Sequence, residues 1–432
     1  MRILIVGGGG REHAIAWKLK SSPRVEKLYA APGNGGIAQI AECIPLKATD
    51  VEGIAAWCAD HPIDFVVVAP DDPLCMGMVD KLQALGIPAF GPNQAAARIE
   101  GSKVFAKELM RKYHIPTAEF QSFDRAEEAL SYVACAQYPL VVKCDGLALG
   151  KGVLICQNPE EGTAAVRSIM MEGAFGASGS RVVIEQFLTG PEVSVLAFTD
   201  GRTLRPMVSS MDHKRALDGD QGLNTGGMGA VAPNPYYTEE MASRCMEEIF
   251  LPTIRAMAEE GCPFQGCLYF GLMLTPQGPK VIEYNCRFGD PETQVVLPLL
   301  QSDLLTIMEA VVSGTLDQAK VKFSKGHSCC VMLASGGYPG KYDTGYPIDG
   351  LENVPGDVQV FHSGTQWDED HQQFVTSGGR VLGLSAVSDT LLGAVKAAYA
   401  GADQIHFEHK HCRRDIGQSA LGAKQSDCSI LP

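Results

Sequence analysis

The chain has 432 residues, enough for roughly two to four domains, and 45% of them are hydrophobic, so sizeable cores can form. Its 50 acidic residues outnumber 36 basic ones for a formal net charge of −14, which argues against a generic nucleic-acid or anionic-membrane surface. No apolar run approaches membrane-spanning length. The 14 cysteines are scattered without a Cys-x-x-Cys pair, and the chain opens on a strand rather than a leader. A cytoplasmic protein with reduced, mostly buried thiols is therefore expected.

Residues 2–6 (RILIV) are a continuous apolar run, as expected of a buried parallel strand. Gly7, Gly8, Gly9 and Gly10 follow, then a helical pattern through Ala14, Ile15, Trp17 and Leu19. Strand, glycine loop and helix open a doubly wound α/β domain. Glycines there let an anion reach the backbone N–H groups of the helix start, and a tight turn needs the same glycines. A dinucleotide fold places an acid at the end of the next strand. Here residues 27–31 run into Pro32, Gly33 and Asn34, which disfavours NAD and favours a smaller phosphate ligand. Strands at 64–70 and 87–92 continue the pattern, and this domain is expected to close near residue 100.

Residues 101–103 open an amphipathic helix through Phe105, Leu109 and Tyr113, with Lys103 at its start, where an anion is favoured. A compact α+β unit is expected over 120–187. Its strand 139–143 ends in Lys143, and the loop 145–152 (DGLALGKG) carries Gly150, Lys151 and Gly152 into the strand 153–156. A glycine-rich loop bracketed by two lysines fits a phosphate cover, and it is not a Walker loop because no Gly-Lys-Ser/Thr precedes a helix. The plain alternative is a glycine hairpin with an exposed lysine. The strand 181–188 ends the unit, and extended backbone there can meet an adenine edge.

A larger body returns at 188–324, with strands at 193–198 and 207–210. The polar run Asp212, His213, Lys214, Arg215 and the loop Asn224, Thr225, Gly226, Gly227, Met228, Gly229 read as ordered functional loops, because apolar anchors are sparse between 211 and 230. A helix over 241–257 and a strand over 267–274 lead to residues 281–292 (VIEYNCRFGDPE). Glu283 and Asn285 are two apart and project from one strand face, and a carboxylate with an amide oxygen suits a hard cation. Arg287, Asp290 and Glu292 follow. Cation ligands beside a guanidinium fit phosphoryl transfer. A last domain is expected from 325, with strands at 328–334, 358–362 and 380–385, a helix at 390–400 and a frayed polar end after Gly417. The segment 406–412 (HFEHKHC) reads as a polar strand face, zinc being the alternative.

Seven motifs stand in order along nearly the whole chain: GGGGREHA at 7–14, APGN at 31–34, GSK at 101–103, DGLALGKGV at 145–153, DHKR at 212–215, NTGGMGA at 224–230 and EYNCRFGDPETQ at 283–294. Together they resemble the glycinamide ribonucleotide synthetase (phosphoribosylamine–glycine ligase) family of ATP-grasp enzymes. The resemblance implies an α/β multidomain protein. Its parts are an N-terminal α/β domain at 1–100, an ATP-grasp body at 101–119 and 188–324, an inserted α+β lid at 120–187 and a C-terminal α+β domain at 325–432. It implies ATP-dependent joining of glycine to 5-phosphoribosylamine through glycyl phosphate, with Mg²⁺ or Mn²⁺, in de novo purine synthesis. Small molecules are the expected partners, with no nucleic acid or membrane, in a monofunctional monomer or weak homodimer.

Residue by residue, Glu283 and Asn285 match the family's metal ligands. Lys103, Lys143, Gly150, Lys151 and Gly152 match the phosphate-binding set. Glu185, Gln186, Phe187 and Leu188 match the adenine hinge, and Glu192 the ribose acid. Arg287 and Asp290 are the catalytic candidates, Arg287 acting either on the transferring phosphoryl or on glycine's carboxylate. Gly8–Gly10, Asp212–Arg215 and Asn224–Gly229 are expected to hold phosphoribosylamine. The sequence departs from the ATP-grasp pattern on strand 271–274 (GLML), where many such ligases carry a second metal carboxylate. Asp290 and Glu292 are the candidates to replace it.

Overall fold

The computed structural model describes residues 1–147, 152–173 and 176–426. Gly150 and Lys151 of the predicted phosphate cover lie outside the described residues. The N-terminal sheet contains β1 (Arg2–Gly7), β2 (Lys27–Pro32), β3 (Glu42–Cys43), β4 (Phe65–Val68) and β5 (Ala89–Phe90), all parallel, in the order β3-β2-β1-β4-β5. Ile3, Leu4, Ile5 and Val6 are fully buried because helices or the next domain cover both faces. Gly8 sits so close to the 31–34 turn that a Cβ there would lie 2.3 Å from the Gly33 carbonyl oxygen. At the start of the helix Gly10–Lys20 the Glu12 side chain reaches back to accept from Gly9 N–H at 2.6 Å, one half of a capping box.

The inserted unit is a four-stranded antiparallel sheet of β6 (Phe120–Phe123), β7 (Leu140–Cys144), β8 (Val153–Cys156) and β9 (Val182–Gln186), ordered β6-β9-β7-β8. Two helices, Ala126–Cys135 and Pro159–Met170, cover it, and the unit has its own small core around Val133, Val142, Val166 and Ile184. The body sheet is β10 (Glu192–Asp200), β11 (Leu204–Pro206), β16 (Gln265–Thr275) and β17 (Gly278–Asn285), ordered β11-β10-β16-β17. One apolar core runs from Leu4 and Val66 through Ile99 and Leu109 to Phe250, Phe270 and Tyr284, so the first sheet and the body pack as one mass.

Between them in sequence lie β12 (Met211–Asp212), β13 (Arg215–Leu217), β14 (Gln221–Asn224) and β15 (Gly229–Ala232). β12 and β15 do not join the body sheet. β12 pairs with β15, and β15 pairs with β18 (His327–Ala334), followed by β22 (Arg380–Ser388) and β19 (Val358–His362), in the order β12-β15-β18-β22-β19. One sheet thus spans residue 325, and the 212–229 loops are carried by the same sheet as the C-terminal residues. A small hairpin of β20 (Thr365–Asp368) and β21 (Gln373–Thr376) lies beside it.

Two expected elements differ. The strand expected at 207–210 is a crossing segment between β11 and β12, held to β10 by Met207 N–H to Leu196 O at 2.7 Å and a bridge from Ser210 to Ser194. The chain there is leaving one sheet for another. In the end expected to fray after Gly417, the described residues form a helix, Gln418–Ser426, seated on the C-terminal core through buried Ala420 and through Leu421. In the 406–412 segment, His406 and His411 sit in isolated bridges to Asp349 and Ala334.

Candidate active site

Lid, body and C-terminal sheet enclose a cavity of about 1180 Å³. Its floor is the end of β17. Glu283 stands opposite Gly271 of β16, Asn285 opposite Tyr269, and both side chains reach the cavity. The register slips between Gly271 and Leu272, leaving Ile282 as a bulged residue. The bulge turns Ile282 toward the cavity beside Glu283, which a regular strand forbids. Gly271 is where an opposing carboxylate would stand. A Cβ there would already lie 3.1 Å from Glu283 Cγ, so Glu283 fills that space itself. Burial alone would push the Glu283 carboxyl up, but Lys214, Lys143, Lys103 and Arg287 outweigh it and hold it below the ordinary range. The two candidate replacements are engaged elsewhere. Asp290 accepts from Gln294 Nε2 at 2.7 Å and pairs with Arg380 Nη2 at 3.2 Å. Glu292 is buried and accepts from Tyr269 OH at 3.0 Å.

Arg287 points back along this edge. It pairs with buried Glu100 at 3.1 Å, and its Nη2 lies 3.4 Å from Asn285 Oδ1. Its Nε is buried without a hydrogen-bond partner among the described residues. Glu100 also accepts from Cys286 N–H at 2.7 Å, so the carboxylate fixes both the backbone and the guanidinium of this corner. Asp71 and Arg11, from the N-terminal domain, complete this wall. Burial raises the Asp71 carboxyl, and Arg287 and Arg11 more than reverse it.

On the lid side, Lys143 Nζ donates to Ile282 O at 3.1 Å and is ion-paired with Glu185, which also pairs with Lys107. Lys107 donates to Thr117 Oγ1 at 2.8 Å. All three charged groups are buried. Burial raises the Glu185 carboxyl, and its two lysines bring it down below the usual value. Burial lowers the Lys107 ammonium to about 8 even with Glu185 beside it. Lys103 Nζ donates to Gly146 O at 2.8 Å, and Asp145 accepts from Ser102 Oγ at 2.9 Å and Val104 N–H at 3.0 Å. The covering loop is thereby anchored to the start of the Lys103–Lys112 helix. β9 ends at Gln186, so Phe187 and Leu188 carry the backbone out of the sheet along the cavity. Met110, Val141, Ile155, Leu188, Met273 and Ile282 form an apolar slot there, suited to a flat base.

The opposite wall comes from 212–226. Lys214 Nζ lies 3.5 Å from Glu192 and 3.7 Å from Glu283, so one ammonium stands between the two carboxylates. Asp212 Oδ1 is buried without a hydrogen-bond partner among the described residues. Burial and then the nearby Glu292 charge push the Asp212 carboxyl well up. His213 has both ring nitrogens engaged, with Gly229 O at 3.2 Å and Gly417 N–H at 3.1 Å, and burial lowers its pKa. Thr225 N–H and Oγ1 both donate to Lys214 O, at 2.8 and 2.9 Å. Arg215, Asn224 and Gly226 line the same wall.

The structure therefore brings together Lys103, Lys143, Gly152, Glu185–Leu188, Glu192, Asp212–Arg215, Asn224–Gly226, Glu283, Asn285, Arg287 and Asp290. Among the described residues the cavity wall does not include Gly8, Gly9, Gly10, Gly227, Met228 or Gly229. These serve close packing. A Cβ on Gly10 would meet Ser363 Oγ at 2.5 Å, Met228 is core, and Gly229 packs on the Cys330 carbonyl oxygen at 2.6 Å. Residues missed in the sequence are Lys107, Arg11, Tyr269, Tyr338 and Arg380. Lys107 had a signal: Lys103, Ala106, Lys107 and Met110 share one helix face, and that face lines the cavity.

Comparison with known proteins agrees over the whole length. Three family descriptions match: "Phosphoribosylglycinamide synthetase, N domain" at residues 1–100, its "ATP-grasp (A) domain" at 101–293 and its "C domain" at 328–419. A phosphoribosylamine–glycine ligase of Vibrio cholerae is 47% identical over 430 residues, covering 99% of this chain and 100% of that protein. The chain belongs to the phosphoribosylglycinamide synthetase family. Another phosphoribosylamine–glycine ligase, of Caldanaerobacter subterraneus, is 46% identical over 96% of this chain and 99% of its own length. The crystal structure of phosphoribosylamine–glycine ligase from Thermotoga maritima superposes with a TM-score of 0.86 at 34% identity, covering 96% of this chain and 100% of that one. A biotin carboxylase domain of Hydrogenobacter thermophilus shares the fold at 16% identity, with a TM-score of 0.73 over 99% of this chain and 94% of its own. The synthetase family's ATP-grasp match, 101–293, contains Lys103, Lys143, Glu185, Glu192, Glu283, Asn285 and Arg287.

Proposed function

We infer that the chain is an ATP-dependent ligase joining glycine to 5-phosphoribosylamine, giving glycinamide ribonucleotide, ADP and phosphate in purine biosynthesis. The observation that carries this reading is the Glu283–Asn285–Arg287 edge facing Lys143 and the lid across one cavity, in a chain alike to named ligases over 99% of its length. A carboxylate is a poor acylating group because its oxygen leaves poorly. Glycine's carboxylate attacks the γ-phosphorus of ATP, ADP leaves, and the resulting acyl phosphate carries a good leaving group. The amine of phosphoribosylamine then attacks the acyl carbon and phosphate departs.

The chain's residues serve those steps as follows. The apolar slot with the Glu185–Leu188 hinge takes adenine, and Glu192 takes the ribose. Lys103 and Lys143 face the phosphates, and water must be kept from the acyl phosphate, which it would hydrolyse. Glu283 and Asn285 offer an oxygen-only pair that fits Mg²⁺ or Mn²⁺, and the ion when bound draws charge from the phosphates. Arg287 meets the oxygen that passes between glycine's carboxylate and the γ-phosphate, its guanidinium offering charged donors. The 212–226 wall holds phosphoribosylamine. Small molecules are the partners, in the cytoplasm.

ADP release, measured with purified protein, ATP, Mg²⁺, glycine and freshly generated phosphoribosylamine, is expected to need both glycine and the amine. Turnover indifferent to omission of glycine would overturn the reading.

A further inference from the structure

Several C-terminal side chains that the mechanism has not used line the cavity, and two of them, Arg380 on β22 and Tyr338 on the turn after β18, reach the 224–227 loop. Arg380 stands at the first rung of β22, yet its guanidinium leaves that sheet. Nη1 donates to three backbone carbonyls: Gly226 at 2.8 Å, Gly227 at 3.3 Å and Asp290 at 2.8 Å. Nη2 pairs with the Asp290 carboxylate at 3.2 Å. Tyr338 OH accepts from Gly226 N–H at 3.1 Å.

The 224–227 loop is thereby held on several sides. A Cβ on Gly226 would stand 3.1 Å from the Arg380 guanidinium. Gly227 has φ +112°, and a Cβ there would lie 2.4 Å from Pro291 Cδ and 2.6 Å from Asp212 Oδ1. Gly227 is required by its backbone conformation and close approach, and Gly226 leaves the guanidinium its place. One planar fork reaches several acceptors at fixed angles, whereas a lysine offers a single point of charge. Among the described residues, the hydrogen bonds and ion pair of Arg380 go to the 226–227 backbone and to Asp290, and none goes to the nucleotide-side groups Lys143, Glu185, Glu283 or Asn285.

We propose that Arg380, assisted by Tyr338, is a positioning residue that fixes the 224–227 loop against Asp290 and so builds the subsite for the acceptor amine. It sets acceptor binding without serving ATP or glycine activation. The proposal rests on the ligase reading, in which the 212–226 wall takes phosphoribosylamine.

The test is steady-state kinetics on Arg380→Lys and Tyr338→Phe, with each substrate varied in turn and thermal unfolding alongside. For Arg380→Lys the KM for phosphoribosylamine is expected to rise about tenfold or more, the loss typical of charged hydrogen bonds. The KM values for ATP and glycine are expected to stay within about twofold. Tyr338→Phe removes one neutral bond and is expected to move the same KM in the same direction by a few fold. It carries the test alone if the arginine variant does not fold. Equal rises in all three KM values, or a fall in kcat with every KM unchanged, would overturn the proposal. If wild-type protein fails to consume glycine, the ligase reading fails instead, and the two failures are distinct.

Discussion

Glu283 shows how much of the chemistry one residue type and spacing can announce. A carboxylate two positions from an amide, at the end of an apolar strand, is visible in the sequence because strand geometry puts both on one face. What the sequence hides is the slip that brings Ile282 to the same cavity and the glycine across the ladder that leaves Glu283 its space. Glu283→Ala is expected to lower kcat by about a hundredfold or more, the scale for losing one preorganised electrostatic contact to a transferring group. The fold should stay intact, because the side chain opens onto the cavity. Circular dichroism with a Mg²⁺ titration of turnover checks both, and wild-type rates at limiting Mg²⁺ would refute the ligand role. Lys107 and Arg380 were harder to read. A lysine on an amphipathic helix ordinarily faces water, and only the burial of Glu185 and Lys143 around it gives Lys107 a partner. Arg380 meets Gly226 from 154 residues away, a pairing no local pattern encodes.

Among elements, the helix Gly10–Lys20 and β19 meet through a pair of buried histidines. His362 N–H donates to His13 Nδ1 at 2.8 Å, so that nitrogen carries no proton. Burial, and then the nearness of His362, lower the His13 pKa to about 3; burial lowers that of His362 to about 4. An unfolded histidine titrates near 6.5. Between that value and these, the unfolded chain binds more protons than the folded one, so stability falls as pH falls below about 6.5. The slope is up to about 1.4 kcal/mol per pH unit for each histidine. His13→Asn keeps an acceptor for the His362 N–H and removes one titration. Denaturant unfolding from pH 7 to pH 4.5 is expected to show a shallower loss for the variant than for wild type. Equal slopes would show that His13 is not a source of the acid sensitivity. Long elements such as β1, the Lys103–Lys112 helix and β18 follow their periodicity and stand where the sequence places them. Two-residue strands such as β12 carry too little pattern to say which sheet they join.

At the scale of the molecule, the reading from motifs gave the family and the order of parts, since each motif sits at the junction of an element and a cavity. The joining of parts is a matter of long-range pairing. β15 bonds β18 across nearly a hundred intervening residues, and this single sheet makes the C-terminal region a wall of the site rather than an appendage. The same sheet packs on Gly229 through the Cys330 carbonyl oxygen, and Gly10 meets Ser363 just past β19, whereas Gly8 packs on Gly33 within the N-terminal domain. The site is thus an assembly of three walls, supplied by the inserted unit, by the β17 edge and by the 212–226 segment with the C-terminal region.

That assembly has one chemical signature. If glycine's carboxylate takes the γ-phosphoryl and phosphate then leaves from the acyl carbon, one carboxylate oxygen ends in the released phosphate. Turnover with glycine labelled by ¹⁸O in its carboxylate, followed by mass spectrometry of the inorganic phosphate, reads this directly. The account predicts one ¹⁸O in each phosphate formed, matched to ADP and glycinamide ribonucleotide. Unlabelled phosphate alongside normal product formation would contradict it.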